Sequence, residues 1–241
     1  MAGARVGDGP VLGLVLAAGG SSRMGRPKQL AELDGRPLLA HVLRALEDAP
    51  VDGVVVALGA HAAEVQARVD LGRAVPLVVR DWALGMGHVL ASALTSAPAR
   101  DHRASVVLLG DQPLVSGRSV ARLVEAWRGG AGPVVTAAYG GRPGHPKLFD
   151  HRLLPELRRL SGDAGARDLL AAHPQWVHEV EVGGLGSDAD VDVEADLQRV
   201  GRLLLAATAS AARTTGRQAP GSGRVSRRDA NAVEEPLRRH P

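Results

Sequence analysis

Cysteine is absent from the 241 residues. That absence excludes disulfide scaffolds, thiolate zinc sites, iron–sulfur clusters and cysteine nucleophiles together, and it fits a reducing, cytoplasmic setting. Aromatic residues are scarce as well, with three Trp, one Tyr and one Phe. So few rings cannot line a single-stranded nucleic-acid groove or a sugar-stacking cleft, so nucleic acid is not expected as a partner. No apolar run approaches the ~20 residues of a membrane span, so no membrane association is expected. Arg5 ahead of the apolar run 11–18 imitates a signal peptide, but cleavage there would destroy the glycine-rich loop that follows. Lysine is nearly missing too: of 29 basic residues only Lys28 and Lys147 are not arginine, which singles out those two positions.

What is present reads as a folded α/β chain. Hydrophobic residues make up 45% and charged residues 23%, which excludes a wholly disordered or fibrous chain, and the length allows one generous domain or two small ones. The net charge of +3 is uneven, because residues 206–241 carry seven Arg against Asp229, Glu234 and Glu235, leaving the rest slightly acidic. Short apolar runs at 11–17, 53–58, 75–79 and 105–110 alternate with amphipathic segments at 37–49, 61–71, 88–97 and 119–128. This is the βαβ rhythm of a mostly parallel, doubly wound sheet covered on both faces. After a further strand-like run at 133–140, GGRPGHPKLF reads as a Gly- and Pro-rich connection. A helix at 151–160, another opening near Gly165, a strand from Trp176 to Val182 and a last helix from Glu194 to Leu205 follow. Residues 206–241 turn to Ala, Thr, Ser, Gly and Arg, the composition of a disordered basic tail, which sets the expected domain at 11–205.

The motif richest in chemistry is LVLAAGGSSRMGRPKQL at 14–30, a strand running straight into a glycine-rich loop that bears Arg23 and Lys28. Such a loop presents backbone N–H groups to phosphate oxygens while the cations neutralise charge; the plain alternative is a βα turn with solvated charges. It is not a P-loop, because Arg26 and Pro27 stand where Lys and Ser or Thr are required. Asp111 follows the apolar strand SVVLLG, where a carboxylate points into the crevice of an open sheet and can hold Mg²⁺, or simply forms the turn before Pro113. Asp190 and Asp192 alternate onto one side of an extended segment, as metal ligands or as caps of the following helix. His145, in Gly-His-Pro, and the run Gly162-Asp163-Ala164-Gly165-Ala166-Arg167 each have a structural alternative, a turn and a helix cap.

LAAGGSSRMGRPK resembles the signature loop of nucleotidyltransferases with a Rossmann-like, GT-A-type fold. With GDQPLV, Gly-His-Pro and the Gly-Asp-x-Gly-Ala-Arg run, the chain resembles the molybdenum cofactor cytidylyltransferase branch of the MobA-like NTP transferase family. The resemblance implies that Leu16, Ala17, Ala18, Gly19 and Gly20 lie along the base and ribose, and Ser21, Ser22, Arg23, Gly25 and Lys28 along the phosphates. It implies Arg80 and Gly85 as further nucleotide contacts, Asp111 and Asp192 as Mg²⁺ ligands, and Arg23, Lys28 and Asp111 as the catalytic set. His145, Asp163 and Arg167 would meet the acceptor. Several positions depart from the family: Arg80 replaces Asn, His88-Val89 replaces Ser residues, Lys147 replaces an apolar residue, and Val193 and Glu194 follow Asp192 where Thr-Pro is usual.

The implied reaction is transfer of a cytidylyl group from CTP to molybdopterin with release of pyrophosphate, and the implied protein partner is a molybdoenzyme or its chaperone. Leu16-Ala17-Ala18-Gly19 and Gln112 resemble the cytidine-using branch, and GTP stays open as the alternative nucleotide. A sugar phosphate or another phosphorylated small molecule is the alternative acceptor. A noncatalytic nucleotide- or nucleic-acid-binding module using the basic tail is the alternative of a different class.

Overall fold

The computed structural model describes residues 7–96 and 99–215, so Arg5 and residues 216–241 of the expected tail lie outside the described residues. The chain opens with β1 (Val11–Ala17), a short antiparallel pair β2 (Glu32–Leu33) and β3 (Arg36–Pro37), α1 (Leu38–Glu47), β4 (Gly53–Leu58), α2 (Ala62–Arg68) and β5 (Val75–Val78). It continues with α3 (Met86–Leu94), β6 (Ala104–Leu109), α4 (Gly117–Arg128), β7 (Val134–Tyr139) and β8 (Arg142–Asp150). The last elements are α5 (Leu154–Leu157), α6 (Arg167–Ala172), β9 (Val177–Glu181) and α7 (Glu194–Thr215). One sheet of seven strands has the order β5-β4-β1-β6-β8-β7-β9. Only β8 opposes its neighbours β6 and β7; every other pairing is parallel.

Alternation along β1 explains the unbroken apolar run. Val11, Val15 and Ala17 face one buried cluster, built with Leu39, Val42 and Leu46 of α1 and Val120, Leu123 and Trp127 of α4. Leu12 and Leu14 face another, with Val89, Leu90 and Leu94 of α3 and Leu157 of α5. Each such side chain taken fully out of water contributes roughly 1.5–3 kcal/mol, so a strand covered on both faces has no position for a polar residue. Gly13 carries no side chain because a Cβ there would sit 3.0 Å from Leu46, too close for α1 to pack.

Strand order places the site. The chain steps outward from β1 to β4 and β5, then returns to the other side of β1 with β6. Loops leaving the C-terminal ends of β1 and β6 therefore diverge, and the crevice between them is where open α/β sheets bind ligands.

Three expectations are corrected. The segment GGRPGHPKLF is not a loose connection: Gly140 (φ 61°) and Gly141 (φ 74°) form a two-residue reversal with both residues left-handed, and β8 returns antiparallel to β7. A Gly-Gly pair between two runs is the turn a tight hairpin needs, so the signal was present and outweighed by the two prolines. The helix expected over 151–160 is only a 3₁₀ turn at His151–Leu153 followed by α5, after which Gly162 (φ 66°) redirects the chain. The last helix does not stop near Leu205 but runs to Thr215, because its alanine-rich second half has high helix propensity.

Candidate active site

The glycine-rich loop leaves β1 at Ala17 and is shaped by its own backbone. Met24 N and Gly25 N donate to Ser21 O at 3.0 and 3.2 Å, and Ser21 Oγ accepts from Lys28 N at 3.0 Å. Ser21 (φ 55°) and Gly25 (φ 71°) take left-handed conformations to make this turn. Gln29, 2% exposed, holds the loop from beneath: its Nε2 donates to Ala17 O at 2.8 Å and to Gly19 O at 3.1 Å. Trp82 lies over the loop's first residues, so that a Cβ at Gly20 would come 3.0 Å from its ring.

Lys28 is where the charges meet. Its Nζ lies 2.5 Å from Asp111 Oδ2 and 3.1 Å from Asp192 Oδ1, while Arg23 Nη1 lies 2.8 Å from Asp192 Oδ2. Lys28 and Asp111 are largely buried, at 19% and 18% side-chain exposure, whereas Arg23 is 73% exposed. Burial alone would lower the Lys28 pKa, but the charges and hydrogen bonds of Asp111 and then Asp192 outweigh it, so the ammonium is held above its ordinary value. Arg26 Nη2 joins Glu194 Oε2 at 2.8 Å, tying the same loop to the start of α7.

Asp192 reaches this point because the segment before α7 runs beside the segment after β6. Val191 N donates to Asp111 O, Ser187 N to Leu114 O, and Gln112 Nε2 to Asp188 O at 2.9 Å. Asp192 does not cap α7: Asp196 Oδ2 accepts from Asp192 N and Val193 N, and the Asp192 carboxylate instead pairs with Lys28 and Arg23. Those backbone donors hold the Asp196 carboxyl below its ordinary pKa. Asp190 is drawn toward Arg199, 3.8 Å away, and partial burial together with the charges of Asp192 and Asp111 pushes its carboxyl up.

Asp111 Oδ1 is buried and has no hydrogen-bond partner. A buried carboxylate oxygen without a donor is what a divalent cation would use, so the residues present fit a metal. Among the described residues no group of three or more His, Asp or Glu is placed to hold a metal ion, so the side chains that meet at this point are the two carboxylates Asp111 and Asp192. That suits a divalent cation that takes one or two protein carboxylates and completes its shell with other oxygen ligands.

Beside these charges lies a cavity of about 260 Å³ lined mainly by Leu16, Ala17, Ala18, Gly19, Trp82 and Met86, with Lys28, Gly85, Asp111 and Asp163 at its polar edge. Sites that enclose a whole ligand usually run to ~300–1,000 Å³, so this one is large enough for part of such a ligand. Its far wall is a pinch between two loops: Gly87 N donates to Gly162 O at 2.7 Å and Gly162 N to Leu84 O at 3.1 Å. At Gly85 (φ 101°) a Cβ would overlap the Gly162 backbone, so only glycine allows the approach.

The expected site residues divide accordingly. Leu16, Ala17, Ala18, Gly19, Lys28, Gly85, Asp111 and Asp163 border the cavity, and Arg23 and Asp192 join through the ion pairs. Gly20, Ser21, Ser22 and Gly25 belong to the loop but not to the cavity wall. Arg80 is exposed and away from the wall, and Arg167, 79% exposed, pairs with Asp168. His145 is not in the wall either; burial and then the Lys147 charge press its pKa down to about 3. Lys147, itself lowered by burial, donates to Thr136 Oγ1 and Gly144 O, both at 2.8 Å. Gln112 Nε2 bonds Asp188 O, tying the segment after β6 to the one before α7, while its Oε1 is buried without a hydrogen-bond partner. Gln29, Trp82 and Met86 escaped the sequence reading, and only the position of Gln29 next to Lys28 could have drawn notice.

The MobA-like NTP transferase domain model matches residues 13–177. A nicotine blue oxidoreductase of Paenarthrobacter nicotinovorans is 34% identical over 199 residues, spanning 79% of this chain and 96% of that protein. Rv0371c of Mycobacterium tuberculosis superposes with a TM-score of 0.72 at 32% identity, over 80% of this chain and 97% of that one, and a second structure of it is a complex with manganese. A CMP:2-keto-3-deoxy-manno-octonic acid synthetase complexed with CTP shares the fold at 20% identity, with a TM-score of 0.63 over 82% of this chain and 99% of that one. With the signature loop and Asp111 inside the matched span, which runs from β1 to the start of β9, the chain belongs to the MobA-like NTP transferase family.

Proposed function

We propose that this protein transfers a cytidylyl group from CTP to the terminal phosphate of molybdopterin, releasing pyrophosphate, with Mg²⁺ as cofactor. The observation that carries the reading is the meeting of Lys28, Asp111, Asp192 and Arg23 at the switch point, beside a cavity of nucleoside size. Two carboxylates facing a phosphate site repel the substrate unless a metal intervenes, and two cations on the same loop supply the rest of the neutralisation.

The acceptor phosphate is already ionised at neutral pH, so the reaction requires no strong general base. It requires in-line placement and charge neutralisation. Gly19 to Lys28 would cradle the triphosphate with backbone N–H groups, and Arg23 and Lys28 would balance charge on the α-phosphate and the departing pyrophosphate. Asp111 and Asp192 would hold Mg²⁺, which when bound would supply neutralisation of the charge that develops on the phosphates. Of the three expected acceptor residues Asp163 lines the cavity, and His145 and Arg167 do not. The choice of CTP over GTP rests on the likeness of Leu16-Ala17-Ala18-Gly19 to the cytidine-using branch.

Similarity over 96% of a nicotine blue oxidoreductase favours a second reading, an oxidoreductase that works by hydride transfer. Hydride transfer has no use for a lysine-bridged carboxylate pair, which is why nucleotidyl transfer is preferred. The deciding experiment mixes the protein and Mg²⁺ with one nucleoside triphosphate at a time and a molybdopterin source, and follows pyrophosphate. CTP-dependent release is expected. Release only with GTP or only with a sugar phosphate would replace the nucleotide or the acceptor. Oxidation of a reduced dinucleotide without any pyrophosphate release would favour the second reading.

A further inference from the structure

Two carboxylates converging in a half-buried crevice repel one another unless a cation lies between them. Here the chain supplies that cation. Lys28 Nζ touches Asp111 Oδ2 and Asp192 Oδ1 together, bridging residues from the ends of β6 and the start of α7. Arg23 also meets Asp192, but on its other oxygen and from an exposed position. Asp111 Oδ1 stays buried and unpartnered even with the ammonium in place, so Lys28 satisfies only part of what the pair can bind.

The identity of the residue matters. Lysine is one of two among 29 basic residues in this chain, so arginine is the default cation and has been passed over at position 28. An ammonium is a compact point charge on a flexible four-carbon stem, whereas a guanidinium is a planar fork that locks onto carboxylates in a fixed geometry. A cation that must be displaced is better made from the former. The Lys28 backbone is anchored, its N–H bonded to Ser21 Oγ at 3.0 Å, so the head group can swing toward a phosphate while the loop stays in place.

We propose that Lys28 stands in for the divalent cation in the nucleotide-free protein, so that metal enters the Asp111–Asp192 pair only when a triphosphate draws the ammonium away. This rests on the reading of those carboxylates as metal ligands, and it makes metal binding conditional on nucleotide. A protein so built does not capture metal ahead of its substrate.

The test is titration of nucleotide-free protein with Mn²⁺, followed by the paramagnetic resonance signal of the free ion. Lys28→Met removes the stand-in and is expected to tighten Mn²⁺ binding by about tenfold or more. Arg23→Met makes the same change in net charge without vacating the space between the carboxylates, and its gain is expected to stay below about threefold. Lys28→Arg, which keeps a cation in place, is expected to bind Mn²⁺ no more tightly than the parent. CTP should strengthen Mn²⁺ binding to the parent, and that gain should shrink in Lys28→Met. If Lys28→Met binds Mn²⁺ no better than the parent, or if Arg23→Met matches it, the stand-in role is wrong while the metal site survives. If no variant binds Mn²⁺ even with CTP present, the metal reading itself fails and takes this proposal with it.

Discussion

Gln29 offers a sharp test of how the phosphate loop is held. Its side chain is 2% exposed, and one amide nitrogen donates to both Ala17 O and Gly19 O, at 2.8 and 3.1 Å. Gln29→Met keeps the length and unbranched shape and removes the donor. A buried carbonyl left without its partner costs about 1–3 kcal/mol, and since the Gly19 carbonyl is only part-buried and can turn to water, the two together cost roughly 2–4 kcal/mol. At roughly 2–4 °C per kcal/mol for a chain of this size, the melting temperature should fall by roughly 5–15 °C. The loop should loosen as well, and CTP affinity, read from the fluorescence of Trp82 above the loop, should weaken by about tenfold. Gln29→Glu should be worse, because it turns a carboxylate oxygen toward the same two carbonyls. A Gln29→Met protein that melts within about 2 °C of the parent and binds CTP equally well would refute the reasoning, since a shift that small is less than one lost hydrogen bond.

Other expectations address the carboxylates, the buried histidine and the C-terminus. Asp111→Asn should lower turnover by at least about a hundredfold with little change in melting temperature, because on the proposed reading it removes a metal ligand at a strand end and no core packing; an active variant would show that Asp111 is not the ligand. His145 is held neutral by burial and by the Lys147 charge, with its pKa at about 3, whereas in the unfolded chain it protonates near 6.5. Stability is therefore complete above that value and declines as pH falls below it, by up to about 2 kcal/mol at about pH 5. Urea midpoints at neutral and mildly acid pH should show this loss in the parent and a smaller one in His145→Gln. Truncation after Thr215 removes arginine-rich sequence outside the described residues and should leave pyrophosphate release nearly unchanged; a large loss would bring that segment into the reaction.

Features carried by neighbouring residues were legible in advance. The apolar run of β1 predicted a strand covered on both faces, and the apolar run before Asp111 predicted a strand that delivers this carboxylate to the crevice beside the glycine-rich loop. The hairpin into β8 was legible in Gly140-Gly141 but was masked by the prolines around His145. The length of α7 was underestimated because an alanine-rich stretch was read by its complexity and not by its helix propensity. Gln29, Trp82 and the Gly85–Gly162 pinch could not be read at all, since each matters through a partner brought near only by folding.

By itself, then, the sequence determined the sheet-and-helix rhythm and the chemistry of the loop, because periodicity, glycine placement and charge are properties of consecutive residues. Tertiary structure alone decided which carboxylates Lys28 neutralises, since Asp111 and Asp192 stand 83 and 164 positions away along the chain. It also decided that Asp196 would accept the backbone N–H groups before α7 and leave the Asp192 carboxylate to Lys28 and Arg23. The physical reason is that each charge pair forms only once the β1 and β6 loops diverge at the switch point and the segment before α7 is laid alongside them.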